Sequence, residues 1–520
     1  MSTGTLDAPA RPLTLRGEGL RATDVAEVAA GRPVVLDPAA LRAVEDSHRA
    51  LAALIAGGEP IYGVTTGYGA LVGFHVGAEQ SRAMQLALLR SHAAGLGEDL
   101  PRDAVRAALT VRINGLLRGH SGVRPVVLEH LAALLNENVI PCVPRTGSLG
   151  ASGDLAPSAH ASLVLVGEGE ATDAAGRRLR GGAALAAAGL EPLVLEPKEG
   201  LALINGTHFM AGLGALATVA AERLVDAADA IAALSIEALH GATSAFDAEV
   251  HALRPLPGQV RSAERLRAML AGSGRTRRPG HGPLQDAYSL RCVPQVHGAA
   301  REGIGFCGRL VAVDLDAVTD NPILIGDPPR VVSAGNFHGQ SLALGLDTLR
   351  LALADLAAFS ERRTFRLLSP SLNGELPPFL TRDAGASSGL MIAQYTAAAL
   401  VSELRALAHP VSADTIPTSD NQEDHVSMGM TAALMARDAI DRVRGVLAVE
   451  LLCAAQAAEL GGAGALGELG GHGALAPRTA ALVALVRERV APLDEDRSPT
   501  PDLRAVTDLI GSDELAAVLA

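Results

Sequence analysis

The chain has 520 residues, 48% hydrophobic and 2% aromatic, with 56 glycines and a formal charge of −13 at pH 7. That length is enough for a large core and two or three structural regions, while the acidic balance argues against nucleic acid or an anionic membrane surface as a main partner. The four cysteines, Cys142, Cys292, Cys307 and Cys453, lack CxxC spacing, which argues against a disulfide framework and fits a reduced, cytoplasmic setting.

Residues 1–12 are polar and contain proline, with no apolar core of a signal peptide. Helical periodicity is expected over 38–57, ending at Gly57-Gly58, and over 78–96 and 103–117. Segment 141–153 reads as loop, 155–168 as a helix with a small-residue surface, and 169–200 as mixed, with a short hairpin around Ala175-Gly176. Long helices are expected over 208–240, 285–317, 338–365, 386–408 and 428–459. The apolar stretch 211–240 is broken by Glu222, Arg223, Asp226 and Asp229, so it reads as a core helix rather than a membrane span. Segment 272–284 reads as a surface loop rich in Gly, Arg and Pro. Segment 461–477 has seven glycines and reads as a flexible linker before a short helical tail. The composition and these runs predict a mainly α protein built as a long-helix bundle. Its organisation reads as an N-terminal mixed region (1–200), a central bundle (201–460) and a linker with tail (461–520).

One loop carries unusual chemistry. Gly147-Ser148-Leu149-Gly150-Ala151-Ser152-Gly153 spaces three glycines by three, which suits neither helix nor strand. The Gly153 amide nitrogen can attack the Ala151 carbonyl carbon, because no Cβ on Gly153 blocks the approach. Loss of that carbonyl's oxygen as water, and then of the Ser152 hydroxyl, leaves an imidazolone with an exocyclic methylidene. Such a group is an electrophile that no ordinary side chain supplies. An ordinary turn and a phosphate cradle are the competing readings. There is no GxGxxG or P-loop lysine, however, and Asp154 would repel phosphate. Asp154 reads locally as the N-cap of the helix that follows.

The run Gly147 to Pro157, GSLGASGDLAP, resembles the prosthetic-group loop of the aromatic amino acid ammonia-lyases and aminomutases, and the likeness continues in order over residues 60–455. The resemblance implies the fumarase/aspartase-like ammonia-lyase type of helix bundle. It also implies that Ala151, Ser152 and Gly153 form 4-methylideneimidazole-5-one (MIO), with no external cofactor and no metal. In Ile61-Tyr62-Gly63-Val64-Thr65-Thr66-Gly67-Tyr68-Gly69, Tyr62 matches the family's catalytic base on an inner lid loop. A phenol titrates near 10, so making it a base at pH 7 takes roughly 4 kcal/mol of differential stabilisation.

Gln285, Tyr288 and Arg291 fall at i, i+3 and i+6, one face of a helix. The block Gln285 to Cys292 matches the family, which implies that Arg291 pairs with the substrate carboxylate and that Tyr288 and Gln285 line the prosthetic group. A planar guanidinium suits a carboxylate. By the same likeness Asn205, in Ile204-Asn205-Gly206-Thr207, hydrogen-bonds the imidazolone and substrate, and Phe337, in Gly335-Asn336-Phe337-His338, packs on the ring. His92, in Arg90-Ser91-His92, and Glu423, in Asn421-Gln422-Glu423-Asp424-His425, resemble the selectivity positions of histidine ammonia-lyases. A carboxylate and an imidazole are sensible partners for a substrate imidazole.

The expected activity is elimination of ammonia from L-histidine to trans-urocanate, in a homotetramer whose sites are shared between subunits. The alternative is a biosynthetic lyase or 2,3-aminomutase acting on tyrosine or a related aromatic amino acid. It is favoured by the Thr65-Thr66 spelling and by Phe209 in His208-Phe209-Met210, a bulky group expected to reshape the pocket.

Overall fold

The computed structural model describes residues 11–277, 281–461 and 473–519. Among these, α-helices dominate and the strands are no longer than four residues. Two compact units are present. The first comprises the described residues up to Val219 with Cys307–Asp347 and Pro410–Leu434. The second comprises Ala220–Phe306, Thr348–His409 and the described residues from Met435 onward. The helices His208–Ala238, Val293–Leu315, Gln340–Leu368 and Gly429–Leu460 each contribute residues to both, so neither unit is one continuous stretch of chain.

The first unit is organised around the helix Arg102–Leu117, buried along nearly its whole length and packed against Ala22–Ala29, Pro38–Ala56 and Pro125–Asn136. The helix Pro38–Ala56 starts where its sequence says it must. Asp37 accepts the amide hydrogens of Ala39 and Ala40 at 2.9 and 3.1 Å, and Pro38 occupies the first helical position, where its missing N–H costs nothing. The helix Ala78–His92 stops short of the expected residue 96. Beyond it, Gly95 donates its amide to His160 Nε2 at 3.0 Å, and Leu96–Asp99 pairs as a strand with Pro144–Thr146. The expected hairpin is present: Glu170–Thr172 pairs antiparallel with Arg178–Arg180, Ala171 opposite Leu179. Its turn is held by Asp173, whose carboxylate accepts the amides of Ala175 and Arg177, each at 2.9 Å.

The second unit has a fully buried polar centre. Arg363 donates to both carboxylate oxygens of Glu450 at 2.6 and 2.8 Å, and Ser235 and Ser360 donate to the same carboxylate. His297 Nδ1 lies 2.7 Å from Asp229, which Arg301 also reaches.

The expected continuous helix over 285–317 is corrected. A single helical turn, Tyr288–Arg291, breaks at Cys292, and a second helix runs Val293–Leu315. Pro294 sits in the first turn of this second helix, where its ring is tolerated. Of the glycine-rich stretches, residues 278–280 and 462–472 lie outside the described residues. No helix among the described residues is long and apolar enough to cross a membrane.

Candidate active site

The loop Gly147–Asp154 is held by backbone contacts from both sides. Gly206 N–H donates to the Ser152 carbonyl oxygen at 3.2 Å, and Asp154 N–H donates to the Gly206 carbonyl at 2.8 Å. Gly153 sits at φ +77°, and a Cβ there would overlap the Gly206 carbonyl. Gly150 sits at φ +72°, where a Cβ would overlap the Ser427 hydroxyl. Both positions therefore require glycine for conformation and for space. Across the loop, Met428 N–H donates to the Leu149 carbonyl at 2.9 Å and the Ser427 hydroxyl to the Gly150 carbonyl at 3.2 Å.

Asp154 occupies the N-cap position of the helix Leu155–Leu163, but its side chain makes no capping bond. It turns into the protein, fully buried, accepts Met210 N–H at 2.9 Å and the Ser148 hydroxyl at 3.1 Å, and so ties the loop to the helix His208–Ala238. Burial pushes this carboxyl up to about 7, against the pull of those donors.

Ser152 opens into a cavity of about 500 Å³, all of whose lining comes from the first unit. Tyr62, His92, Asn205 and Glu423 face the same space. Tyr62 lies in the turn after Ile61. Thr65 Oγ1 accepts Ile61 N–H at 2.7 Å and Thr66 Oγ1 accepts Gly63 N–H at 3.2 Å, so the two threonines brace this turn and do not line the cavity. The Tyr62 hydroxyl oxygen accepts Gly69 N–H at 2.8 Å, and its ring meets Tyr68 edge-on at 6.3 Å. Tyr68, bonded to Gln85 at 3.2 Å, has its phenol pushed well up by burial, so it stays protonated.

Glu423 stands on a tight hairpin paired with Thr418, in which Ser419, Asp420 and Asn421 all have left-handed φ. Asp and Asn tolerate that conformation better than most residues. Thr418 donates its hydroxyl to Glu423 Oε2 at 2.6 Å, and Ser152 donates to Oε1 at 3.3 Å. His92, in the last turn of its helix, points Nδ1 at the Leu88 carbonyl, 3.0 Å away. Nδ1 therefore carries the hydrogen and Nε2 is left as an acceptor. Burial lowers this imidazole's pKa, only partly offset by the Leu88 carbonyl and the nearby Glu423.

Asn205 caps the end of the helix Glu199–Ile204. Its Nδ2 donates to the Asn321 carbonyl at 3.0 Å, while its buried Oδ1 has no partner. A glycine at Gly153, with no Cβ to block the closure, and the Gly206 N–H on the Ser152 carbonyl are what a ring formed from Ala151-Ser152-Gly153 would need, and the residues present fit that group. In such a ring the oxygen retained is the Ser152 carbonyl, the atom already gripped by Gly206 N–H.

Other expected residues are placed elsewhere. Gln285 is not helical, which corrects the one-face reading, yet its Oε1 accepts a hydrogen bond from Arg291 at 2.9 Å, and the Arg291 guanidinium lies 4.8 Å from the Tyr288 ring centre. These three form one cluster on the second unit and do not line the cavity. Phe337 does not line it either. Phe209 is corrected: it is fully buried, away from the cavity, beside His208, which bonds Ser158 at 2.8 Å. Among the described residues, no group of three or more His, Cys, Asp or Glu is placed to hold a metal ion. Thr418, Ser419 and Asn321 were not singled out from sequence. Ser419 and Asn321 line the cavity and Thr418 braces Glu423, placements that only the fold makes. Met84 and Leu88 also line it; their helical spacing was the only signal.

The sequence matches the model of the family described as aromatic amino acid lyase over residues 20–488. It is 50% identical over 489 residues to a histidine ammonia-lyase of Symbiobacterium thermophilum, covering 94% of each chain. It is 49% identical over 508 residues to that of Anaeromyxobacter sp. strain K, covering 96% of this chain and 98% of the relative. Among solved structures, a tyrosine aminomutase from Streptomyces globisporus superposes with TM-score 0.92 at 37% identity, covering 98% of both chains. A histidine ammonia-lyase from Trypanosoma cruzi gives 0.89 at 36% identity, covering 98% of this chain and 95% of the other. The loop, the cavity and these likenesses agree: the chain belongs to the aromatic amino acid lyase family.

Proposed function

We propose that the protein eliminates ammonia from L-histidine to give trans-urocanate, using MIO formed from Ala151, Ser152 and Gly153, and that it works in the cytoplasm. The observation that carries the substrate is that His92 and Glu423 face the cavity into which Ser152 opens. Both present acceptors, and an imidazole offers N–H groups to them. MIO supplies an electrophilic methylidene to the substrate's α-amino group. The residues do the rest. Tyr62, its oxygen oriented by Gly69 N–H, takes the β-proton. Gly206 N–H stands ready to stabilise negative charge on the Ser152 carbonyl oxygen. Asn205 offers Oδ1 to an N–H of the substrate, and Glu423 and His92 fix the imidazole.

In this reading Arg291, Tyr288 and Gln285 reach a cavity of another copy in a homotetramer, where Arg291 pairs with the substrate carboxylate. Phe337 packs on the ring. Support for the shared site comes from the Tyr288–Arg291 cluster, in which Tyr288 is 69% exposed and which does not line this chain's own cavity. The tyrosine alternative rested on Thr65-Thr66 and Phe209, and neither lines the cavity.

The test is a panel of L-histidine, L-tyrosine and L-phenylalanine read for ammonia and for acrylate or β-amino acid. Urocanate from histidine alone is expected, and β-tyrosine from tyrosine would replace the proposal with the alternative. Ser152→Ala is expected to abolish turnover with the helical circular dichroism unchanged. Wild-type protein is expected to weigh two waters less than its sequence.

A further inference from the structure

Asn205 is held by an arrangement that involves both ends of its helix. Lys198, at φ +81°, immediately precedes the helix Glu199–Ile204, and Asn205 immediately follows it. Two consecutive residues grip these two flanks. Lys198 Nζ bonds Asp320 Oδ2 at 2.6 Å, with both side chains almost wholly buried. Asp320 Oδ1 accepts Asn321 N–H at 2.7 Å, and the Asn321 carbonyl accepts Asn205 Nδ2 at 3.0 Å. Asn321 is itself fixed on its other side, where its Oδ1 accepts Ala334 N–H at 2.8 Å. Because Nδ2 is committed to a backbone carbonyl, the amide cannot turn over, and Oδ1 is the atom left unpaired.

A buried ion pair is an expensive way to obtain stability. Replacing both partners by neutral groups of similar volume is often neutral, whereas removing one strands a charge. The placement of this pair, one bond network away from the only unpaired atom of Asn205, gives it another purpose. We infer that Lys198 and Asp320 are positioning residues: they lock the Asp320-Asn321 dipeptide against the Asn205 helix, so that Asn205 offers an acceptor, and not its NH₂ group, to the reacting molecule. This inference rests on the histidine-lyase reading for its substrate, but its geometry concerns Asn205 alone.

The experiment is a cycle built from the double variant Lys198→Met with Asp320→Asn, made in wild type and in Asn205→Ala. Removing both charges together strands neither partner of the pair; Arg112, a buried guanidinium that feels Asp320, keeps its charge, so the melting temperature is read alongside turnover. In the wild-type background kcat is expected to fall about 10- to 100-fold, the loss typical of a misplaced reacting group. KM should change little, and the two-water mass deficit and the melting temperature should be retained. In the Asn205→Ala background the same pair of changes is expected to alter kcat less than about twofold, because the pair acts through Asn205. Wild-type kcat in the double variant would overturn the inference. So would an equal fall in both backgrounds, loss of the folded state, or failure to lose the two waters, since each makes the pair a general scaffold. If the wild-type protein consumes another amino acid, the cycle is run on that substrate, so the two readings fail separately.

Discussion

At the scale of single residues, Glu423 illustrates how one side chain is prepared for one ligand. Thr418 fixes Oε2, which leaves Oε1 for the cavity. On the proposed reading, Glu423→Gln puts an amide where an acceptor pair is needed and strands the substrate's N–H. A lost buried hydrogen bond costs roughly 1–3 kcal/mol, about 5- to 150-fold in kcat/KM for L-histidine. His92→Phe should weaken histidine turnover as well, while improving the relative rate on an apolar ring. Steady-state kinetics on histidine and phenylalanine checks both, and an unimpaired Glu423→Gln enzyme would remove the substrate assignment. Asp154 gives a prediction of a different kind. Its folded pKa of about 7 lies above the ordinary 3.8, so the native state holds a proton that the unfolded chain has lost. The stabilisation this confers is complete below about pH 4 and is lost as pH rises through about 7, on the order of 4 kcal/mol in all. Asp154→Asn should therefore flatten the decline in thermal stability over that window relative to wild type. Parallel melting curves for the two proteins would show the opposite.

At the scale of elements, what could be read from sequence was whatever depended on near neighbours along the chain. The long helices had periodicity, the helix Pro38–Ala56 had its Gly57-Gly58 end, and the hairpin had its Ala175-Gly176 turn. Three features were not read from the sequence, each for its own physical reason. The helix Pro125–Asn136 reads PVVLEHLAALLN and is buried on several sides, so its apolar residues form a run rather than a stripe. The break at Cys292 falls just before Pro294, which has no N–H to offer the Leu290 carbonyl and so sits in the first turn of a new helix. The Thr65-Thr66 pair looked like a specificity signal because sequence does not show which way a hydroxyl points; in the fold both hydroxyls serve the Tyr62 turn. The loop itself was legible because glycine at three fixed positions is an unusual local demand, but its counterpart, Gly206, lies 53 residues beyond Gly153 in the chain. That contact leads to a test. Gly153→Ala places a methyl against the Gly206 carbonyl and adds strain at φ +77°, so the loop should no longer seat. The purified variant is expected to keep its full unmodified mass and to lack activity, while retaining helical circular dichroism. A two-water deficit in this variant would show that the Gly206 contact is dispensable for ring formation.

At the scale of the whole molecule, the cavity and the Tyr288–Arg291 cluster stand on different compact units of the chain, and only the first unit supplies the cavity lining. If the sites are shared in a homotetramer, two impaired variants should rescue one another. Glu423→Gln damages the cavity and Arg291→Ala the cluster, and a co-expressed mixture would contain some sites with neither lesion. Activity well above either parent is expected, together with a tetrameric mass in light scattering. No rescue, or an active monomer, would place every working residue on one chain. The second unit's own centre, the buried pair of Arg363 with Glu450, does not line the cavity, so this charge pair should influence melting temperature more than turnover.

The Ser152 hydroxyl has two roles in this structure. On the proposed reading it is the group that leaves as the loop matures, and it is the donor resting on Glu423 Oε1. Its departure therefore creates the electrophile and, in the same event, vacates the oxygen that would receive the substrate ring. Maturation and ligand capacity become one quantity. In any preparation, the stoichiometry of tight-binding sites for an unreactive histidine analogue should equal the fraction of chains that have shed two waters, and a batch's specific activity should scale with that fraction alone.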